Sequence, residues 1–315
     1  MLKHMDKRKL LSIVMPVFNE AEGLSNFYKE LKNCIDSLPY GFELIFVNDG
    51  SLDDSLPALK ILRQNDKRVK IIDFSRNFGQ QNALTAGIDQ ASGDAVILLD
   101  VDLEDDPGYI RSFIEYWNKG YQVVYARRTE RRAAFLRKLC FSLFHKANRA
   151  ICSVNVDAAG AFCLMDRSVV RYFKEFSERD KYIPGLRSWI GFKQIGIDAV
   201  RGARYDNTPR VRFRNLFKLA FDSFTSFSTM PLKISIFLGS IFSMLSFIGI
   251  AIVFVEKIVF KSAILGWAST ISIILLLGGI QLICIGLQGE YIARIFNEVK
   301  KRPNYIIREK IGFEE

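Results

Sequence analysis

The chain has 315 residues, 49% hydrophobic and 25% charged, which leaves room for roughly two domains with a substantial core and excludes disorder or low complexity. Its net charge of +10 is unevenly spread: residues 1–122 carry −5, residues 123–214 carry +12 and residues 215–315 carry +3. Five scattered cysteines without a CxxC pair, joined by only two histidines, argue against a zinc site or disulfide framework and for a reduced compartment.

Met1–Lys9 is polar and leads directly into a strand, so no secretory signal is expected there. Apolar runs bounded by turn residues then predict strands at Leu11–Val17, Phe42–Val47, Val69–Phe74, Ala95–Leu99 and Gln122–Tyr125. Helical patterns fall between them at Ala21–Ile35, Leu56–Arg63, Gln81–Gln90 and Tyr109–Trp117. This alternation predicts an α/β domain with a mostly parallel sheet covered by helices on both faces. No GxGxxG follows the first strand, which argues against a dinucleotide-binding dehydrogenase.

Ligands in such sheets bind beyond the carboxyl ends of the strands. Those ends are polar and acidic here: Pro16-Val17-Phe18-Asn19-Glu20, Asn48-Asp49-Gly50-Ser51, Asp73-Phe74-Ser75-Arg76-Asn77 and Asp100-Val101-Asp102. Any one of these residues could be a turn former or helix cap. Four such ends on one edge suggest a site. Asp100-Val101-Asp102 closes the fourth strand, where one carboxylate can hold a hard cation, Mg²⁺ or Mn²⁺, completed by substrate phosphates. Glu104, Asp105 and Asp106 before Pro107 read as an acidic loop and helix start.

The basic middle follows. Arg127, Arg128, Arg131 and Arg132 come directly after the fifth predicted strand, on the same edge, and suit phosphate through bidentate donation. Attraction to anionic headgroups is the alternative, and Arg210, Arg212 and Arg214 fit that better. Asp157 is the one acid between Glu130 and Asp166, hence the candidate to orient an acceptor or act as base. Phe213, Phe217, Phe221 and Phe224 recur at helical spacing, which suits either an interfacial amphipathic helix or a core-facing one.

Ile234–Val255 and Ser262–Gly289 run 22 and 28 residues without a charge, long enough for two membrane spans. Only residues 256–261 separate them, so a tight hairpin is expected, both outer ends on one side. Cations outside the hairpin outnumber Lys257 and Lys261 in its loop, placing both termini and the N-terminal domain in the cytoplasm. The expected organisation is 1–210 catalytic domain, 211–231 juxtamembrane helix, 232–289 hairpin and 290–315 cytoplasmic tail.

The order of motifs resembles the family 2 glycosyltransferases with a GT-A fold, and within them the two-span polyprenyl-phosphate glycosyltransferases related to dolichol-phosphate mannose synthase. The resemblance rests on residues 14–20, 47–51, 75–79, 83–87 and 100–103. It continues through Trp189-Ile190-Gly191-Phe192, Gly289-Glu290-Tyr291-Ile292-Ala293-Arg294 and Lys301-Arg302-Pro303-Asn304-Tyr305. It implies that Pro16, Val17, Asn19, Glu20 and Asp49 hold the nucleotide, Asp49 accepting from uracil, with Arg76 near base and ribose. Asp100 and Asp102 would serve the sugar-diphosphate and its metal, Asp102 most directly. Family members transfer sugar with inversion from UDP- or GDP-sugars to polyprenyl phosphate at the cytoplasmic face, and close relatives form homotetramers. The sequence departs from the family pattern at Ala161, at Pro184 and over 207–211, all in the acceptor half.

The function this implies is transfer of one hexose, glucose by family resemblance, from a UDP-sugar to undecaprenyl phosphate. The alternatives are a GDP-mannose-using enzyme, a processive polysaccharide synthase, or a nucleotide-sugar-binding scaffold without turnover. Two spans are few for a polymer channel and no Gln-x-x-Arg-Trp motif is present. Membrane lipids are an expected partner; nucleic acid is not.

Overall fold

A computed structural model describes residues 9–128, 159–176, 178, 181–200, 230–259 and 266–313. It divides into two compact units, 1–210 with 302–315 and 211–301.

The first unit is built on one sheet. β1 (Leu10–Val17), β2 (Gly41–Asn48), β3 (Val69–Phe74) and β4 (Ala95–Leu98) run parallel in the order β3-β2-β1-β4. They alternate with α1 (Ala21–Asp36), α2 (Ser55–Asn65), α3 (Gln80–Gln90) and α4 (Tyr109–Asn118). β5 (Val123–Arg128), β6 (Ala159–Asp166) and β7 (Gln194–Ala199) extend the sheet beyond β4, and β6 is antiparallel to both neighbours. α5 (Arg167–Glu175) and α6 (Ile183–Trp189) lie between β6 and β7 in the chain.

The period-2 pattern of β1 decides which helix covers which face. Leu11, Ile13, Met15 and Val17 point into a core shared with Leu24, Phe27, Leu31 and Ile35 of α1 and with Ile110, Phe113 and Trp117 of α4. Val14 points the other way, against α3, where a Cβ on Gly87 would stand 2.1 Å from Val14 Cγ1. Close helix–strand approach is why glycine occupies that position. At the amino-terminal part of the sheet, buried Glu43 accepts from Ser12 Oγ, from Ser92 N at 2.7 Å and from Lys70 Nζ at 2.6 Å. Burial opposes its ionisation, but these donors win and hold the carboxyl below its usual range.

Two differences from expectation stand out. β5 runs to Arg128, so Arg127 and Arg128 belong to the strand; parallel pairing with β7, up to Arg128↔Ala199, supplies the partner that prolongs it. The C-terminal stretch expected as a tail instead contains β8 (Ile307–Ile311), antiparallel to β3 at the sheet's edge.

The second unit contains α7 (Met230–Val259, 30 residues) and α8 (Trp267–Val299, 33 residues). Large apolar side chains are exposed along both, including Ile236, Phe237 and Phe247 on α7 and Ile274, Leu282 and Ile283 on α8. Among the described residues one helix, Leu276–Val299, is long and apolar enough to cross a membrane; Ser235–Gly249 is a shorter apolar helix. Residues 211–229, expected as a juxtamembrane helix, lie outside the described residues.

Candidate functional site

The strand order reverses at β1, because β2 and β3 lie on one side of it and β4 on the other. A crevice opens at such a switch point, beyond the carboxyl ends. Pro16 marks its mouth. Even-numbered residues of β1 face β4, and Leu99 N donates to Val14 O at 3.0 Å, where the ladder with β4 ends. Pro16 comes next on that side, where its missing N–H leaves no broken ladder bond.

The loop after β1 is locked to the loop after β2. Asn19, at φ +53, accepts from Leu52 N at 2.9 Å through Oδ1 and donates its N–H to Ser51 Oγ at 3.1 Å. Glu20 N donates to Ser55 Oγ and Ala21 N to Asp53 Oδ2, at 3.0 and 3.1 Å. Glu20 is buried and Asn19 half-buried, so this edge holds a buried carboxylate.

Asp49 is the most constrained acid of the site, 2% exposed. Its carboxylate accepts from Phe78 N at 2.7 Å, Gly79 N at 2.9 Å and Asn77 Nδ2 at 3.1 Å. Burial pushes the carboxyl above its ordinary value, an effect the Phe78 and Gly79 N–H groups only partly offset. Gly50, at φ +66, lets the turn press on the next loop: a Cβ there would lie 2.4 Å from the Arg76 carbonyl carbon. Arg76 is exposed, and its guanidinium stacks 4.2 Å above the Phe78 ring.

Beyond β4, Asp100 and Asp102 are half-buried on either side of buried Val101. Gln80 Nε2, from the first turn of α3, donates to Asp100 Oδ1 at 2.7 Å, and Glu104 N donates to Asp102 Oδ1 at 3.1 Å. Leu103 at φ +59 turns the chain away immediately afterwards. Among the described residues no three His, Cys, Asp or Glu side chains form a metal-holding group. Asp100 and Asp102 are two hard, half-buried carboxylates at the carboxyl edge of the sheet. That fits a Mg²⁺- or Mn²⁺-type ion which takes its other ligands from substrate and water.

On the β5 side, Arg127 Nε donates to Asp198 Oδ1 at 2.6 Å in an exposed pair that holds the Asp198 carboxyl below its usual range. Arg128 is placed in the same strand. Arg131, Arg132 and Asp157 lie outside the described residues, as does 207–211; Ala161 sits in β6 and Pro184 in α6. The structure thus gathers Pro16, Val17, Asn19, Glu20, Asp49, Arg76, Asp100 and Asp102 at one edge. Sequence reasoning missed Gln80, Ser51 and Ser55 as partners, because each matters through a contact distant in the chain.

Residues 12–173 match the family Glycosyl transferase family 2, and residues 230–295 match the GtrB C-terminal hairpin. The Bacillus subtilis (strain 168) protein described as an uncharacterized glycosyltransferase, YkcC, is 42% identical over 305 residues, covering 96% of this chain and 94% of the relative. The bactoprenol glucosyl transferase of Shigella phage SfII is 39% identical over 301 residues, 95% of this chain and 97% of its own. The prophage bactoprenol glucosyl transferase homolog of Escherichia coli (strain K12) is 39% identical over 300 residues, 95% and 98%.

Proposed function

The chain belongs to glycosyl transferase family 2, and on that premise we propose that it moves one glucose from UDP-glucose to a polyprenyl phosphate of the bactoprenol type. The observation that carries this is similarity along 95% of the chain, hairpin included, to relatives named for that transfer. The crevice at the switch point supports it, since it offers a buried acid, Asp49, and the carboxylates of Asp100 and Asp102 on one edge.

In this reading Pro16, Val17, Asn19 and Glu20 line the nucleotide, Asp49 accepts from uracil, and Arg76 covers base and ribose. Asp100 and Asp102 are the residues that would hold a divalent ion, Mg²⁺ or Mn²⁺, and such an ion would supply positive charge against the diphosphate leaving group. The acceptor phosphate has a second pKa near 6, so at neutral pH it is largely dianionic and already nucleophilic. Its oxygen forms the new bond to the anomeric carbon as the bond to the UDP oxygen breaks. The electron pair leaves with UDP, no proton must move, and the configuration inverts. Asp157 therefore orients the acceptor more than it serves as base. Bringing two polyanions together calls instead for cations, the role of Arg127, Arg128, Arg131 and Arg132.

The two apolar helices form a membrane hairpin, with the catalytic unit and both termini on the cytoplasmic side and a homo-oligomer, a tetramer by resemblance, in the bilayer. One assay tests the function. Membranes carrying the chain are incubated with undecaprenyl phosphate and labelled UDP-glucose, UDP-galactose, UDP-N-acetylglucosamine or GDP-mannose, with and without EDTA. Labelled mono-glucosyl lipid from UDP-glucose alone is expected, lost with EDTA and restored by Mn²⁺. Label from GDP-mannose, a polymer, or UDP binding without product would each overturn it.

A further inference from the structure

β8 closes the β3 edge of the sheet, and its Arg308 reaches Asp73 and Ser75, from which contacts lead to the two loops around Asp49. The register pairs Asp73 with Glu309 but Phe74 with Ile307, so Arg308 falls in the gap between them. Such irregularities re-aim a side chain out of the strand's alternation. Arg308 Nη2 donates to Ser75 O at 2.8 Å, and Nη1 lies 3.5 Å from Asp73 Oδ2. The Asp73 side chain is only 2% exposed. Its other oxygen accepts from Asn48 Nδ2 at 2.7 Å, while Asn48 Oδ1 accepts from Ser51 N at 3.3 Å. One route thus runs from Arg308 through Asp73 and Asn48 into the turn that carries Asp49.

A second route starts at Tyr305. Its ring stacks on Phe74 with centroids 5.1 Å apart and planes at 11°, and its hydroxyl donates to Asp89 Oδ2 of α3 at 2.8 Å. Phe74 meets Phe78 edge-on at 5.7 Å, and Arg76 lies over Phe78. Ser75 N also donates to Ile306 O at 3.0 Å. The loop Ser75–Gly79, which supplies two backbone N–H groups to Asp49, is therefore held at Ser75 by Ile306 and Arg308, and Tyr305 reaches its Phe78 through Phe74.

We propose that β8 is part of the donor-nucleotide site, with Arg308 and Tyr305 as positioning residues that hold the 48–51 turn and the 75–79 loop in their UDP-binding arrangement. This rests on the reading of that edge as the UDP site. The segment touches no reacting atom, so its effect belongs in donor affinity and not in turnover or acceptor use. The buried Asp73 carboxylate makes the design directional. Its charge requires a cation, and the cation comes from the far end of the chain.

The test uses the full chain in detergent or nanodiscs, with UDP titrated by calorimetry and transfer kinetics measured for both substrates. Arg308→Gln is expected to weaken UDP binding and raise KM for UDP-glucose by about fivefold or more. In the same variant, kcat and KM for the lipid should stay within about twofold of the natural chain. Arg308→Lys, which keeps the charge, should recover part of the affinity. Lys60→Ala, which breaks the exposed Lys60–Glu309 pair on the same strand, should leave UDP affinity unchanged. Unaltered UDP affinity in Arg308→Gln, or an equal rise in lipid KM, overturns the proposal. Hydrogen exchange on the natural chain provides a measurement that no unfolded variant can spoil. UDP should slow exchange at Tyr305–Ile311 as well as at 75–79; no response at 305–311 overturns it. If the natural chain fails to bind UDP at all, the donor-site reading fails instead.

Discussion

Asp49 shows burial and hydrogen bonding competing on one carboxylate. Three N–H donors hold it, yet burial still leaves its carboxyl harder to ionise than an exposed one. In the proposed role of accepting a uracil N–H the ionised form is the stronger acceptor, and the folded pKa is raised. UDP affinity should therefore be complete above that raised value and fall as pH drops through it, at a higher pH than an ordinary carboxylate would impose. A UDP titration across acidic pH checks this: wild-type affinity should decline before the fold melts. Gly50 sits beside it with a different demand. Gly50→Ala places a Cβ into the Arg76 backbone at a positive φ, so a cost of about 1–3 kcal/mol and a displaced 75–79 loop are expected. Thermal melts with and without UDP should show a lower midpoint and a smaller ligand-induced rise.

At the scale of elements, α3 is the pivot between core and site. Its inner face lies on β1 through Gly87, while its first turn delivers Gln80 to Asp100. Gly87→Val should overpack that contact, costing about 1–3 kcal/mol or more, and should weaken donor binding as α3 shifts. Denaturant unfolding together with UDP affinity reads both effects. The α2–β3 connection offers a pH-linked counterpart. Asp66 is bound by Arg68, with Tyr28 hydroxyl 2.7 Å away, and its carboxyl is held down to about 2 although burial opposes this. The folded pKa lies below the unfolded one of 3.8, so the stabilisation is fully present above about 3.8 and is lost as pH falls through about 2. Arg68→Ala should remove that acid-limb dependence and cost roughly 1 kcal/mol at neutral pH, since the pair is partly screened by solvent.

At the scale of the whole molecule, one chain supplies a sheet-based unit and a pair of helices whose exposed faces are apolar. Such faces have no place in water, so the chain should remain in the membrane pellet after alkaline carbonate extraction. The proposed orientation rests on the distribution of cations. In a cysteine-free background, Lys257→Cys should react with an impermeant maleimide added from the non-cytoplasmic side, and a cysteine at an exposed position of α2 should not. Labelling of the α2 cysteine, with or without labelling at position 257, would overturn the proposed topology.

Legibility in the sequence follows the range of the forces involved. The parallel strands β1–β4, α1–α4 and the polar strand ends could be read because alternation and helical periodicity record local burial, residue by residue. So could the two apolar stretches, whose length is itself the signal. β6 and β7 were not legible: β6 is antiparallel to the strands on either side of it, a choice made by pairing partners and not by its apolar run. β8 was hidden more deeply. Ile307–Ile311 carries three charged residues and reads as a polar tail, yet Lys60, Asp73, Ser75 and Gln90 wait for it across the fold. Arg308 and Ser75 stand 233 positions apart, beyond the reach of any local pattern. The amino-acid order alone determined the sheet's inner strands, the acidic edge and the apolar hairpin, because each is written in neighbouring residues. Only the tertiary structure decided which loops lock together around Asp49 and which strand closes the sheet, because buried charges and edge hydrogen bonds are satisfied by whatever folding brings near.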